Sequence, residues 1–577
     1  DFLFRVERIS IIILNTNFMK YISYKIAAIF AIATLTGCSD SSLDKLPQDQ
    51  ISSTTFWTSE KEARLALTGC YAYLEGGYSN IYNDGSADNA YAQYPWESTA
   101  TTIAAGDIDA LSVDQGYKSR YTAIRQFNYF LDNVDKTPMN ADLKKRFIAE
   151  ARVLRANTYF ELARIFGAVP LLKNAYADPL ETGVAPTPEA EVVAFVLSEL
   201  GSVADQLPAN YAGGTNNEKG RITTGAAWAI KARVELHYGK WNEASISAQK
   251  VMGMGYQLFR VTALSAKDTQ DDYSSFVTFA NAAEREKFYK GLASYEQQFW
   301  ASNESSKEVI LASQNINNSS YEYGNGLNTL LPPSNLGGWS SVTPTVELVN
   351  AYWDKNGNVF TPPSAAQRAT NYNNGVPNAA YYDEFKNRDT RLYASILFPS
   401  NPWDRYNSGY KFTWGRGGNN NSKTGYNFRK LIDPAYTTSE WDGAQDFQII
   451  RFAEILLTYA EAKNEFSGPD ISIYNVLNDI RDRAGMPAID PILFATKDQL
   501  RQLIRNERRI ELAGEGQRFF DIRRWNIASD VMKTTNDITN NKAQERKWLA
   551  KFNKMPYPQS AVDHNANLKT EQSAKGY

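Results

Sequence analysis

The chain has 577 residues, 43% of them hydrophobic and 22% charged, a balance that excludes disorder and suits a packed globular protein. Its formal charge is −3, so the basic footprint of phosphate recognition is missing and no nucleic-acid partner is expected. Two histidines and two cysteines argue against His-ligated metals and against Ser-His or Cys-His chemistry, and no cofactor is expected; carboxylate chemistry, which needs only two acids, survives this filter.

Residues 1–18 precede the plausible start Met19 and read as an upstream extension outside the fold. Residues 19–37 read as a signal peptide, with Lys20 and Lys25 ahead of an apolar run from Ile26 to Leu35 that is too short to cross a bilayer. The run closes on Leu35-Thr36-Gly37-Cys38, the small-residue cleavage pattern of a bacterial lipoprotein. Cleavage there leaves one mature domain, 38–577, lipidated at Cys38. Each buried CH₂ contributes roughly 0.8 kcal/mol, so one acyl chain holds weakly and several hold firmly. Cys70, in the apolar run Leu65 to Tyr73, reads as a small buried hydrophobe.

A helical frame is expected over about 50–75, 119–255 and 445–530. Leu143, Phe147, Ala151, Leu154, Leu162 and Ile165 recur at helical steps, with Glu150, Arg152, Arg155, Glu161 and Arg164 on the other faces, until Gly167 and Pro170 stop the run. Thr223 to Tyr238, then Gly239-Lys240-Trp241 and a second run to Met252, read as a helical hairpin of tetratricopeptide type, and His237 at its turn reads as a packing or capping residue. A further pair is expected at Phe447 to Phe466 and Ile471 to Arg483, split by Gly468-Pro469, with one more helix over Gln499 to Ala513. Between these, about 76–118 and 256–440 are rich in Tyr, Trp, Asn, Ser and Gly and read as a loop-rich ligand lobe with a few short strands. Gly415-Arg416-Gly417-Gly418 leads into Asn419 rather than a helix, so it reads as a turn and not a phosphate cradle.

The segment from Glu150 to Leu172, EARVLRANTYFELARIFGAVPLL, closely resembles the signature helix of the SusD/RagB family of Bacteroidetes outer-membrane lipoproteins. Further matches follow in the family's order: Gly220 to Thr223, Pro344 to Val349, Asn387 to Leu392, Arg451 to Leu457, Arg481 to Pro487, Glu507 to Leu512 and Arg518 to Trp525. The tail Met555-Pro556-Tyr557-Pro558-Gln559 is similar to the family's Ile-Pro-Gln element, with Tyr in place of Ile. The resemblance spans nearly the whole mature chain. It implies a mostly α-helical protein of tetratricopeptide-like hairpins packed against the loop-rich lobe. It also implies a cell-surface binding protein, not an enzyme, that captures an oligosaccharide or polysaccharide and acts as a lid on a SusC-like TonB-dependent transporter.

The signature residues themselves read as structural, since Glu507 falls on the apolar stripe between Leu503 and Ile510 and calls for an ion pair with Arg505, Arg508 or a distant arginine such as Arg451. A sugar presents C–H faces and a rim of hydroxyls, so its site wants exposed aromatic platforms beside Asn, Asp, Gln or Arg. The stretch Asp88 to Glu97 has that mixture, making Asn89, Tyr91, Tyr94 and Trp96 candidates, with Trp300, Tyr323, Trp339 and Trp414 in similar polar loops. Asp84, Asp88, Asp107 and Asp109 could hold Ca²⁺ but read more simply as solvated loop charges. The alternatives are a peptide-capturing member of the same family, a surface glycoside hydrolase and a helical-repeat scaffold without a small ligand. Cys38→Ala should abolish palmitate labelling in cells; undiminished labelling would remove the lipoprotein reading and the surface location with it.

Overall fold

The computed structural model describes residues 56–175, 183–211, 218–319, 323–436 and 440–577; the leader and Cys38 lie outside them. The chain divides into Asp1–Thr58, described only over 56–58, and Ser59–Tyr577, which carries everything below. That second unit is mostly α-helical.

Helices α1 (Glu60–Tyr71), α2 (Gly77–Gly85) and α3 (Tyr117–Asn133) lead into α4 (Ala141–Phe166), whose start is fixed by Asn140 Oδ1 accepting from the backbone N–H groups of Asp142 and Leu143 at 3.0 Å each. This is the signature helix, and it packs against α3 and α5 (Glu189–Val203). The expected hairpin is α6 (Thr224–His237) and α7 (Trp241–Met252), reversing at Gly239 with φ +66°, a value an L side chain rarely adopts. His237 is half-buried, packed against Phe160, Tyr238 and Phe520, and desolvation by these neighbours pushes its imidazole well below its usual pKa. A second stack follows: α9 (Phe452–Ser467) lies on α7, and on α10 (Ile471–Arg483) and α11 (Lys497–Glu511). Asp470 caps α10, a Thr496/Gln499 box caps α11, and α12 (Arg518–Arg524) ends the frame.

Two expectations need correction. The helix expected from Phe447 begins only at Phe452, because Phe447–Arg451 forms a strand, β6, paired antiparallel with β2 (Val309–Ser313). Its Ile449 and Ile450 favour a strand, and a short apolar run does not reveal its period. The lobe also holds a 16-residue helix, α8 (Ala282–Gln297), in a stretch expected to be loop. Phe288, Leu292 and Tyr295 do make a helical stripe there, buried on one face, and Gly291 lets it close on α10, since a Cβ at that position would sit 2.4 Å from Ala484 O. Elsewhere the lobe is held by two-stranded pairs, β1 (Ala90–Ala92) with β3 (Val342–Pro344) and β4 (Ile396–Leu397) with β5 (Asn427–Phe428), around a core of rings including Tyr273, Tyr393, Phe398 and Trp403.

Frame and lobe are joined by buried charge. Arg451, with no exposed surface, donates from Nη1 to Glu308 (2.9 Å) and Glu511 (2.8 Å) and from Nε to Glu515 (2.8 Å). Arg483 also reaches Glu308 (3.2 Å) and Glu511, and Arg391 meets Asp389 (2.8 Å) and Glu511 (3.1 Å). Lys430 Nζ closes the group on Glu515 at 2.6 Å and on the Glu511 and Ala513 carbonyls. Glu507 is paired as its stripe position demands, but with Arg481 (2.6 Å) and, at 2.9 Å without hydrogen-bond alignment, Arg391. Its neighbours Arg505 and Arg508 are not its partners; distant arginines are, the third of the expected alternatives, though not the example Arg451.

Burial alone would push the Glu511 carboxyl up, yet Arg483, Arg451 and Arg391 hold it well below the usual carboxylate range. Its stabilising contribution is therefore full above its ordinary pKa of about 4.3 and is lost as pH falls below that value. Glu511→Gln should cost about 3–5 kcal/mol at pH 7, the cost of leaving buried guanidinium groups short of a countercharge. The deficit in melting temperature should narrow below about pH 4; an equal deficit at pH 3 and 7 would show that the charge on Glu511 is not what matters.

Candidate functional site

Strand β1 aligns Ala92 with Val342 of β3, and the pairing continues one step as Gln93 N–H donates to Ser341 O at 2.7 Å. The chain then leaves the sheet in a turn, Tyr94-Pro95-Trp96-Glu97, closed by Glu97 N–H donating to Tyr94 O at 3.2 Å. Both ends of the turn are fastened. Tyr94 donates its hydroxyl to Asn420 Oδ1 at 2.7 Å, and Glu97 accepts from Ser341 Oγ at 3.1 Å and from the Tyr82 hydroxyl on α2. The Tyr78 hydroxyl, also on α2, binds the Glu97 carbonyl. Burial raises the Glu97 carboxyl, and its hydrogen bonds from Tyr82 and Ser341 oppose that rise.

Between these fastenings the Tyr94 and Trp96 rings stack, centroids 4.7 Å apart and planes 29° apart, and Trp96 is 76% exposed. A ring pair of that exposure beside an asparagine and a carboxylate presents an apolar face with polar groups on its rim. Tyr91 is half-buried on β1 at the foot of the turn, where burial raises its hydroxyl pKa.

The other sequence candidates do not all share this surface. Asn89 is buried below it; Oδ1 accepts from Arg509 Nε at 2.8 Å, while Nδ2 has no partner among the described residues. Trp414 is 6% exposed, its Nε1 donating to Ser422 O at 2.9 Å and its ring against Tyr372, so the platform expected there is a core residue. Its polar neighbours in sequence hid that burial, which depends on a distant tyrosine. Trp300 is half-buried below the Arg405 guanidinium, 5.6 Å from the ring centre. Trp339, two residues before Ser341, is half-buried and meets Trp441 edge-on at 5.1 Å, giving a second ring pair next to the strand that supports the turn. Tyr323 is 54% exposed, its carbonyl accepting from Ile316 N–H.

Sequence reasoning missed Asn420, Trp441, Tyr78 and Tyr82. The tyrosines lie on α2 and Asn420 near the end of the lobe as outlined, with Trp441 just past its edge, but Asn420 and Trp441 are remote from the turn in sequence and carry no local signal.

The acids considered for Ca²⁺ do not converge, and two are not solvated. Asp84 is buried and accepts from Gly514 N–H; Asp88 is buried between Arg518 (2.7 and 2.9 Å) and Arg509 (2.9 Å). Asp107 pairs with Lys547 at 2.7 Å, and Asp109 accepts from Leu111 and Ser112 N–H. Among the described residues no group of three or more His, Cys, Asp or Glu is placed to hold a metal ion. Cys70 is buried and free, and burial pushes its thiol up to about 12. No described helix is long and apolar enough to cross a membrane.

Because Trp96 is exposed and Trp414 is core, truncating them should separate. Trp96→Ala should leave the melting temperature nearly unchanged, whereas Trp414→Ala should cost about 3–5 kcal/mol; comparable losses in a denaturant titration would contradict the placement of both rings.

Two family models match this chain and together cover most of it. The SusD family matches residues 307–577, and a family described as starch-binding and associating with the outer membrane matches 42–236. SusD-like protein P2 of Formosa agariphila is 23% identical over 530 residues, 88% of this chain and 92% of that protein. A SusD-like protein of Bacteroides fragilis superposes with a TM-score of 0.74 at 25% identity, over 91% of this chain and 99% of its own. A second B. fragilis structure, a SusD-like carbohydrate-binding protein, gives 0.73 at 25% identity, over 89% and 100%. Helical hairpins, loop-rich lobe and sequence matches agree, and the chain belongs to the SusD family.

Proposed function

We propose that this protein is a non-enzymatic glycan-binding lipoprotein of the outer-membrane surface that captures oligosaccharides and delivers them to a SusC-like TonB-dependent transporter. The observation that carries the binding reading is the stacked Tyr94–Trp96 pair, held in the open by a turn fastened to Asn420, Ser341 and Tyr82. A pyranose laid on Trp96 sets its C–H groups against the ring, and its hydroxyls reach the Asn420 amide at the rim. Trp339 and Trp441 offer a further aromatic edge for a longer chain. The ligand class is supported by the carbohydrate-binding B. fragilis relative. The lipoprotein-type run that ends at Cys38 and the outer-membrane association of the matching family support the location, and the transporter partner rests on the family resemblance.

An aromatic anchor of this kind contributes on the order of 1 kcal/mol or more. Trp96→Ala should therefore weaken oligosaccharide binding by roughly fivefold or more by calorimetry, since 1.4 kcal/mol is tenfold. Affinity intact in that variant would remove the platform reading. The bound oligosaccharide should also come through prolonged incubation unchanged; turnover that survives repurification would favour the hydrolase instead.

A further inference from the structure

A recess of about 240 Å³ opens among the α1–α2 connection, α3, α4 and α6, and it contains none of the residues of the Trp96 turn. Its wall combines charged and amide groups, Glu75, Asn83, Arg120, Asn157, Glu161 and Arg164, with apolar carbon from side chains such as Leu74, Ala123 and Ile449. Arg164, only 7% exposed, lies with its guanidinium carbon 3.3 Å from the centre of the Phe520 ring and uses Nε and Nη2 to hold Glu161 at 2.9 and 2.6 Å. Its Nη1 has no protein hydrogen bond among the described residues. Arg120 pairs with Glu75 and the Gln115 carbonyl, leaving Nε without a partner among the described residues. The side-chain amides of Asn83 and Asn157, both half-buried, also have no protein hydrogen bond among the described residues.

The charges of the recess balance. Arg233 at its floor is held by Glu454 at 2.8 and 2.6 Å, Arg164 by Glu161 and Arg120 by Glu75, so an ion entering it would bring an uncompensated charge. The volume corresponds to about eight waters at roughly 30 Å³ each, close to the size of one sugar ring with its hydroxyls. The unused groups include donors, on Arg164 and both amides, and acceptors, the two amide oxygens. Neutral vicinal hydroxyls, each able to donate and accept, match that set, whereas an apolar guest would leave it unpaired.

We propose that this recess is a second ligand site, taking a neutral polyhydroxylated unit the size of one monosaccharide, with Asn83, Asn157 and Arg164 Nη1 ordering its hydroxyls. The proposal shares its ligand class with the carbohydrate reading but not its site. Both can therefore be tested apart, by titrating glucose, galactose, mannose and xylose into wild type, Trp96→Ala, Asn157→Leu and the double variant. At least one sugar should give a binding event of roughly millimolar strength that persists in Trp96→Ala, whatever the turn itself contributes in wild type, and that weakens at least about tenfold when Asn157→Leu is added to Trp96→Ala at an unchanged melting temperature. Asn83→Leu serves as the second blocking variant should Asn157→Leu fail to fold. No heat with any of the four sugars at ten times that concentration, or binding undiminished in the leucine variants, overturns the proposal. Binding lost in Trp96→Ala also overturns it, because the sugar then sits on the turn. Oligosaccharide binding that ignores Trp96→Ala counts against the platform and leaves the recess standing. A trisaccharide added to Trp96→Ala separates two sources of the same chemistry, each consistent with the site: retained affinity marks a chain end, and binding of monosaccharide alone marks a free sugar.

Discussion

A guanidinium group with no exposed surface has to be answered inside the protein, and Arg451 is answered by three carboxylates from two distant parts of the chain: Glu308 just before β2, and Glu511 at the end of α11 with Glu515 just beyond it. Arg483, Arg391 and Lys430 share those same acids. Removing one member leaves the others buried and short of a partner, a penalty of several kcal/mol per ion, so the group forms as a whole. The arrangement brings the ends of α10 and α11 to β6 and to the lobe segments around 390 and 430. Helical packing could have brought the helices together by itself; the register between frame and lobe is what the charges add.

The aromatic wealth of the loops has a plain outcome for the most part. Tyr273, Tyr393, Phe398, Trp403 and Trp414 fill a core that few regular elements surround; the Tyr273 hydroxyl meets Arg429 at 2.8 Å and Trp414 Nε1 donates to the Ser422 carbonyl, while Trp403 Nε1 has no hydrogen-bond partner among the described residues. Rings of this size carry enough burial to hold irregular backbone where sheets and long helices are missing. Trp96 stands outside that core.

Periodicity and the glycine and proline stops made the frame legible, and the structure adds the caps at the helix starts. Asn140, Thr223 and Thr496 begin α4, α6 and α11 because their oxygens accept from free N–H groups of the first turn, and Gly167, Gly239 and Gly468 follow the helices where the backbone turns left-handed. The helix α8 was hidden because its stripe of Phe288, Leu292 and Tyr295 is embedded in a composition shared with loops. Partner identities were beyond reach. That Glu507 needs an arginine follows from its place on an apolar stripe, but that Arg481 and Arg391 supply it depends on the folded path. At the candidate site, Trp96 was legible because no period claims it, while Asn420, 326 residues from Tyr94, has no local mark. Trp414 and Trp96 sit in similar polar company, and only the fold separates them.

The turn that carries Trp96 is hydrogen-bonded at Tyr94 and at Glu97, with proline between them and one ring stacked on the other. Tyrosine and tryptophan have only two side-chain torsions each, and here stacking already restricts them before any guest arrives. Immobilising a side chain on association costs about 0.5–1.5 kcal/mol, and most of that ordering has taken place during folding. Association with this surface can therefore proceed with little rearrangement, as between rigid bodies, and the entropy lost on binding falls mainly on the guest.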